Sequence, residues 1–275
     1  MEEKSIQLAK PFGLLRFVFD FHYLIPITTL LVNSGYLLFD DFFFRATQPV
    51  ALFSYWTTFL LAFLSCLCNS IFGFILAWVL IRYKFPTKNF IDVCIDLPFA
   101  LPTSVAGLTF LTIYNQQGWL GFYLSKFGVQ IVYTKLAIFL AMTFVSFPFV
   151  IRSIQPILQN FEKELEEISW SLGASSFNTF RLIIFPNLFS ALITGMTLSL
   201  SRAIGEYGSI AIVSSNFPFK DLVVPVLIFQ YLEQYDYTSA TVIGTVVLLL
   251  SLIILIFLNF IQNDFFSNSF KFPNN

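Results

Sequence analysis

One pair of charges interrupts the long apolar stretches of this sequence, Arg202 and Glu206. An arginine in an apolar segment is costly enough to mark a functional site, and its planar fork suits an oxyanion. On a helix the two residues, four apart, share a face and can neutralise one another. Contact with an anion and a structural ion pair are therefore both open readings. A second group is neutral: Pro98 and Pro102, followed by Thr103, Ser104 and Gly107. Proline leaves carbonyls unpaired and bends a helix, and nearby hydroxyls and free amides can solvate an anion. A plain kinked helix packed through small residues fits that group equally well. Catalysis finds little support. His22 is the sole histidine, and Cys66, Cys68 and Cys94 lack metal-ligand spacing. No pair of glycines five apart leads into a lysine, as a phosphate-cradling loop requires. We assign this chain no catalytic residue, no metal and no nucleotide site.

The elements that hold these residues follow from composition. Of 275 residues, 57% are hydrophobic and 11% charged, against about 25% charged in a soluble domain. Lipid accepts such a surface and requires every backbone group to be paired internally, so the expected class is an all-α membrane protein. Stretches free of Asp, Glu, Lys and Arg, matched to the ~20 residues that cross a bilayer, place six transmembrane helices. They fall at roughly 17–39, 56–81, 97–117, 131–151, 187–213 and 238–262, in one domain over 1–275. Gln48 and Pro49 read as external loop ahead of the second span. Lysine and arginine set the orientation. Lys4, Lys10, Arg16, Arg82, Lys84, Lys88, Arg152, Lys163, Arg181 and Lys271 fall on one side, and Arg45, Lys126, Lys135 and Lys220 on the other. That bias puts both termini on the cytoplasmic or equivalent side.

The connection between the fourth and fifth spans, 152–186, is long and lies on that same side. Within it Phe161, Leu165, Ile168 and Leu172 recur at helical spacing, opposite Glu162, Lys163, Glu164, Glu166 and Glu167. This is an amphipathic helix. Gly173 suits a left-handed cap at its end, and Ser175 or Ser176 can cap a second short helix. Taken alone, the pattern also fits a helix lying on the membrane surface.

The spelling of this loop resembles that of permease subunits of ABC importers. Glu167-Ile168-Ser169, Gly173, Ile183 and Phe185-Pro186 stand in register with the family's Glu-Ala-Ala, Gly, Ile and Leu-Pro. Ile168 and Ser169 replace the two alanines and Phe185 the leucine, and Ile168 is expected to widen the elbow between the loop's two helices. The stretches Asp96-Leu-Pro-Phe-Ala-Leu-Pro-Thr103, Ser146-Phe-Pro-Phe-Val-Ile-Arg152, Ser201-Arg-Ala-Ile-Gly-Glu-Tyr-Gly208 and Glu233-Gln-Tyr-Asp-Tyr-Thr238 resemble the sulfate/thiosulfate permeases among them.

The resemblance implies a type I importer fold of the molybdate, maltose and methionine kind, with a coupling helix between spans four and five. It further implies that ATP and Mg are bound by a separate ATPase dimer, which docks on Glu167, Ile168, Ser169, Gly173, Ile183 and Pro186. A second homologous permease subunit, an external sulfate-binding protein and membrane lipid complete the partners, with no nucleic acid. Sulfate would cross by alternating access, past Pro98, Pro102, Thr103, Ser104, Arg202 and Glu206. A molybdate or tungstate permease is the alternative within the family. An ion-coupled secondary carrier would instead show more carboxylates in its spans and no such loop. The phenylalanine-rich, alanine-poor usage suits an AT-rich genome, which favours the plastid inner envelope, with a bacterial inner membrane as the alternative.

Overall fold

The computed structural model describes residues 24–269. Residues 17–23 of the first expected span, and the charged residues before them, lie outside the described residues. The described chain is helical, with no strand. It begins with α1 (Leu24–Gly35), α2 (Phe39–Ala46), α3 (Pro49–Arg82), α4 (Lys88–Ile95), α5 (Leu97–Ala100) and α6 (Thr103–Tyr114). Next come α7 (Gly121–Lys126), α8 (Lys135–Gln159), α9 (Lys163–Ser171) and α10 (Ser176–Thr179). A π-turn at Phe180–Ile184 joins α10 to α11 (Phe185–Ile204), and α12 (Gly208–Val213), α13 (Val224–Glu233) and α14 (Tyr237–Ser269) follow.

Prolines account for most departures from the expected spans. Pro49 sits at the first position of α3, where its missing N–H costs nothing, so Gln48 and Pro49 open the helix instead of preceding it. The third expected span, 97–117, is not one helix. Pro102 has no N–H for the preceding turn and disfavours helical backbone at Leu101, which is extended. The chain therefore restarts as α6 at Thr103, with Pro102 as its N-cap. In α8 the Thr134 hydroxyl accepts the Leu136 N–H at 3.2 Å. That helix runs past Pro148 and Pro156 to Gln159, so the connecting loop begins near 160 and Arg152 is helical. The fifth helix begins at Ser176 and not at 187. Pro186 cannot donate to the carbonyl four residues back, and the wide turn before it redirects the Phe185 N–H to the Phe180 carbonyl. At its other end this helix stops at Ile204, short of the expected 213.

Among the described residues, four helices are long and apolar enough to cross a membrane: Pro49–Arg82, Lys135–Gln159, Ser176–Ile204 and Tyr237–Gln262. At 1.5 Å per residue α6 is about 18 Å long, well short of a ~30 Å hydrocarbon core. Among the described residues, then, four helices are long enough to span, with shorter apolar helices beside them, and the first expected span lies partly outside those residues.

Helices α3, α8 and α11 form the centre. Their apolar seam includes Ala62, Met142 and Leu200 toward one end, and Leu80, Ile151 and Leu188 toward the other. Asn69, fully buried in α3, ties the three together. Its Nδ2 lies 3.1 Å from the Thr143 carbonyl, 2.8 Å from Ser146 Oγ and 3.3 Å from Ser199 Oγ. Close approach of α8 and α11 depends on Gly195, where an added Cβ would lie 2.8 Å from Val150 Cα. Gly195→Ala should therefore cost about 1–3 kcal/mol of stability, read as an earlier midpoint in a denaturant titration of detergent-solubilised protein. Gly35→Ala, whose Cβ would meet nothing within 4 Å, should leave that midpoint in place.

Candidate functional site

The loop after α8 folds as a helix–turn–helix. α9 ends in a Schellman turn: the Gly173 N–H donates to the Trp170 carbonyl at 2.9 Å and the Ala174 N–H to the Ser169 carbonyl at 3.1 Å. This closure needs left-handed backbone, and Gly173 has φ +85°. A Cβ there would meet nothing within 4 Å, so the demand for glycine is conformational and not steric. Ser175 caps the next helix, its Oγ accepting the Asn178 N–H at 3.3 Å.

α9 leaves its apolar stripe exposed. Glu166 and Ser169 are buried against the bundle, whereas Leu165, Ile168 and Leu172 are exposed, Leu172 at 83%. Glu166 pairs with Arg82 at the end of α3, and Arg82 stacks over Trp78 at 5.1 Å. Ser169 Oγ and Thr179 Oγ1 lie 2.8 Å apart and join the two helices of the loop. Ile168 is therefore not in the elbow and does not widen it; the smaller Ser169 occupies that position. Glu167 is exposed beside the apolar stripe. Ile183 is half-buried in the π-turn, its carbonyl accepting from Asn187 Nδ2 at 2.7 Å. Pro186 stands directly after the π-turn, in the first turn of α11. Phe74, Trp78, Phe180 and Phe185 pack edge-on or tilted around this root.

At a second place two broken helices meet. α6 restarts after Leu101–Pro102 and α12 restarts after Gly205–Tyr207, and the two pack closely. A Cβ on Gly107 would lie 2.7 Å from Ser209 Cα, and one on Gly208 would lie 2.2 Å from Thr103 Oγ1 and 3.2 Å from Ser104 N. Neither position admits a side chain. Thr103 and Ser104, singled out with Pro102 by their sequence, thus lie against the residues that follow Glu206. Pro98, in α5, lies on the far side of the break and lines an apolar cleft of about 420 Å³ with Ile91, Cys94, Phe110 and Phe144.

Arg202 and Glu206 are paired, Nη1 to Oε2 at 2.7 Å. The expected geometry, two residues on one helical face, is incomplete, because α11 ends at Ile204 and Glu206 lies in the break. Its other oxygen accepts the Ser209 N–H at 3.0 Å and the Ser209 hydroxyl at 2.8 Å. Glu206 therefore both neutralises Arg202 and supplies the missing acceptor for the first turn of α12. Its side chain is 1% exposed, while that of Arg202 is 33% exposed.

A third polar cluster was not anticipated. Arg152 joins α8 to α4 and α5, holding Asp96 through both carboxylate oxygens at 2.9 and 2.7 Å and Asp92 Oδ1 at 2.9 Å. The signal was present, since Asp96 opens one of the quoted stretches and Arg152 closes another, but nothing in one sequence pairs them. Asn69 carried a plainer signal as an amide within an apolar run.

A family profile described as the binding-protein-dependent transport system inner membrane component matches residues 69–268. The chain belongs to this family. It is 55% identical over 239 residues to the probable sulfate transport system permease protein cysT of Nephroselmis olivacea, covering 87% of this chain and 84% of that one. The Chlorella vulgaris protein of the same description is 60% identical over 218 residues, covering 79% and 82%. The sulfate transport system permease protein CysT of Synechocystis is 51% identical over 238 residues, covering 86% and 83%. These relatives are transport permeases, not enzymes. In fold, the permease matches a bacterial ABC transporter involved in the import of the acidic polysaccharide alginate, with a TM-score of 0.74 at 15% identity, over 96% of this chain and 97% of that one. It also matches the inward-facing MetNI methionine ABC transporter, with a TM-score of 0.57 at 18% identity, over 81% and 97%. The all-α type I importer fold is the one expected.

If Gly173 is held by its backbone angle, Gly173→Asn should be mild and Gly173→Val should cost the loop about 1–2 kcal/mol. Hydrogen exchange over 169–175 should rise for Val and barely change for Asn. Equal protection in the two variants would refute the conformational account.

Proposed function

We propose that this chain is the permease subunit of an ATP-driven importer that carries sulfate by alternating access. The observation that carries the reading is the exposed apolar stripe of α9. Leu165, Ile168 and Leu172 point away from the permease while Glu166 and Ser169 are paired within it, which leaves an apolar stripe for an ATPase groove. The spelling Glu167, Ile168, Ser169, Gly173, Ile183 and Pro186 supports the same docking, and relatives named for sulfate transport supply the substrate. ATP and Mg belong to that ATPase, present as a dimer. A second homologous permease and an external sulfate-binding protein complete the machine. Both termini lie on the ATPase side, and algal relatives beside a cyanobacterial one favour the plastid inner envelope. With Ile168→Asp or Leu172→Asp, inserted permease should remain while co-purified ATPase and sulfate uptake both fall about tenfold or more, as for truncation of a central interface anchor. Wild-type uptake by both variants would remove the docking reading.

The two packed helix breaks form the gate in this proposal, with Pro98 and Pro102 allowing α4–α5 and α6 to move separately. Thr103 and Ser104 face the passing anion, and Arg202 is held in place by Glu206. Arg202→Ala strands a buried carboxylate, at about 3 kcal/mol, the low end of such losses because the lost guanidinium partly reached solvent. Glu206→Gln keeps an acceptor for Ser209 but strands Arg202. Combining Arg202→Ala with Glu206→Gln should then recover most of the uptake lost in either single variant, normalised to inserted protein. Failure of the double variant to recover would instead assign Arg202 direct contact with sulfate.

A further inference from the structure

Arg152 spends its guanidinium on one short segment of the chain. Besides Asp96 and Asp92 Oδ1, it donates from Nη2 to the Asp92 carbonyl at 2.9 Å and from Nη1 to Gln155 Oε1 at 2.6 Å. Gln155 Nε2 in turn donates to Asp92 Oδ1 at 3.0 Å. The Gln155 amide and then the Arg152 guanidinium hold the Asp92 carboxyl below the ordinary carboxylate range. The segment so gripped, α4–α5, leads directly into the break at Leu101–Pro102 and the gate residues beyond it. Its other ties to α8 are apolar: Phe99 meets Phe149 edge-on at 5.2 Å, and Ile95 is buried in the seam with Ile151, with Ile91 packed against it.

Both carboxylates and the guanidinium are about a third to a half exposed, and ion pairs so exposed add little to stability. A bidentate fork nevertheless fixes orientation as well as distance. Its consequence is geometric. α8 continues within a few residues into α9, so whatever displaces α9 displaces the end of α8 that carries Arg152. We propose that Arg152 is a positioning residue for translocation, coupling the movement of α8 and the docking loop to α4–α5 and hence to the break at Leu101–Pro102. This rests on the reading that an ATPase docks on α9.

The test uses the complete importer in proteoliposomes, with radiolabelled sulfate as the probe and ATP hydrolysis measured in the same preparation. Arg152→Ala should assemble and hydrolyse ATP, while sulfate moved per ATP falls by about tenfold or more, the size of an ordinary coupling energy. Arg152→Lys, which keeps the charge and loses the fork, should behave more like Ala than like wild type. The exchanged pair Arg152→Asp with Asp96→Arg should regain part of the ratio. A merely structural tie would lower the amount of assembled complex and leave sulfate per ATP unchanged; that result overturns the proposal. Should Arg152→Ala not assemble, the same ratio in Arg152→Lys decides. Loss of the ATPase from the wild-type complex would refute the docking reading, whereas a retained ATPase with an unchanged ratio refutes only the role of Arg152.

Discussion

Lipid offers no hydrogen bonds, so a helix can be interrupted at membrane depth only where another part of the protein covers the freed backbone. This permease interrupts two helices, at Leu101–Pro102 and at Gly205–Tyr207, and sets the interruptions against each other. Gly107 on Ser209 and Gly208 on Thr103 bring the backbones together where a side chain on either glycine would hold them apart. Glu206 then provides the acceptor that α12 lacks at its start. The negative charge needed for that role is buried, and Arg202 is the cation that makes it tolerable.

Everything else holds these two breaks in register. α3, α8 and α11 give a rigid centre, tightened by the buried Asn69 amide and by small residues that let α8 and α11 approach. Apolar contacts alone are nondirectional in lipid, where helix association gains little from burying one apolar surface against another. The directional ties are therefore polar and are placed at the seams: Asn69 at the centre, Arg82 with Glu166 beneath α3, and Arg152 with Asp92 and Asp96 beside α5.

The docking loop shows the same economy. A helix with apolar residues on one side would ordinarily bury that side, yet α9 buries Glu166 and Ser169 and exposes Leu165, Ile168 and Leu172. An exposed apolar stripe of this kind marks a surface for interaction with another protein or with the membrane. The π-turn ahead of Pro186 keeps α10 and α11 one continuous helix from Ser176 to Ile204.

The sequence by itself determined the membrane class, because 11% charged residues cannot cover a soluble globule. It also determined that long helices stand near 56–81, 131–151 and 238–262, with the fifth displaced by about ten residues, as well as the α9–Gly173–Ser175 turn and the interest of Thr103, Ser104, Arg202 and Glu206. These depend on local periodicity, on proline and glycine chemistry, and on the rarity of charge in apolar runs, all of which a linear reading contains. Tertiary structure decided which face of α9 turns inward, the division of the third span, the second role of Glu206 as a cap, and the pairing of Arg152 with Asp92 and Asp96. Each of those depends on which distant segment supplies the partner. Periodicity reports that a helix has two faces, but only the bundle, by offering Arg82 and Thr179 to one of them, decides which face remains outside.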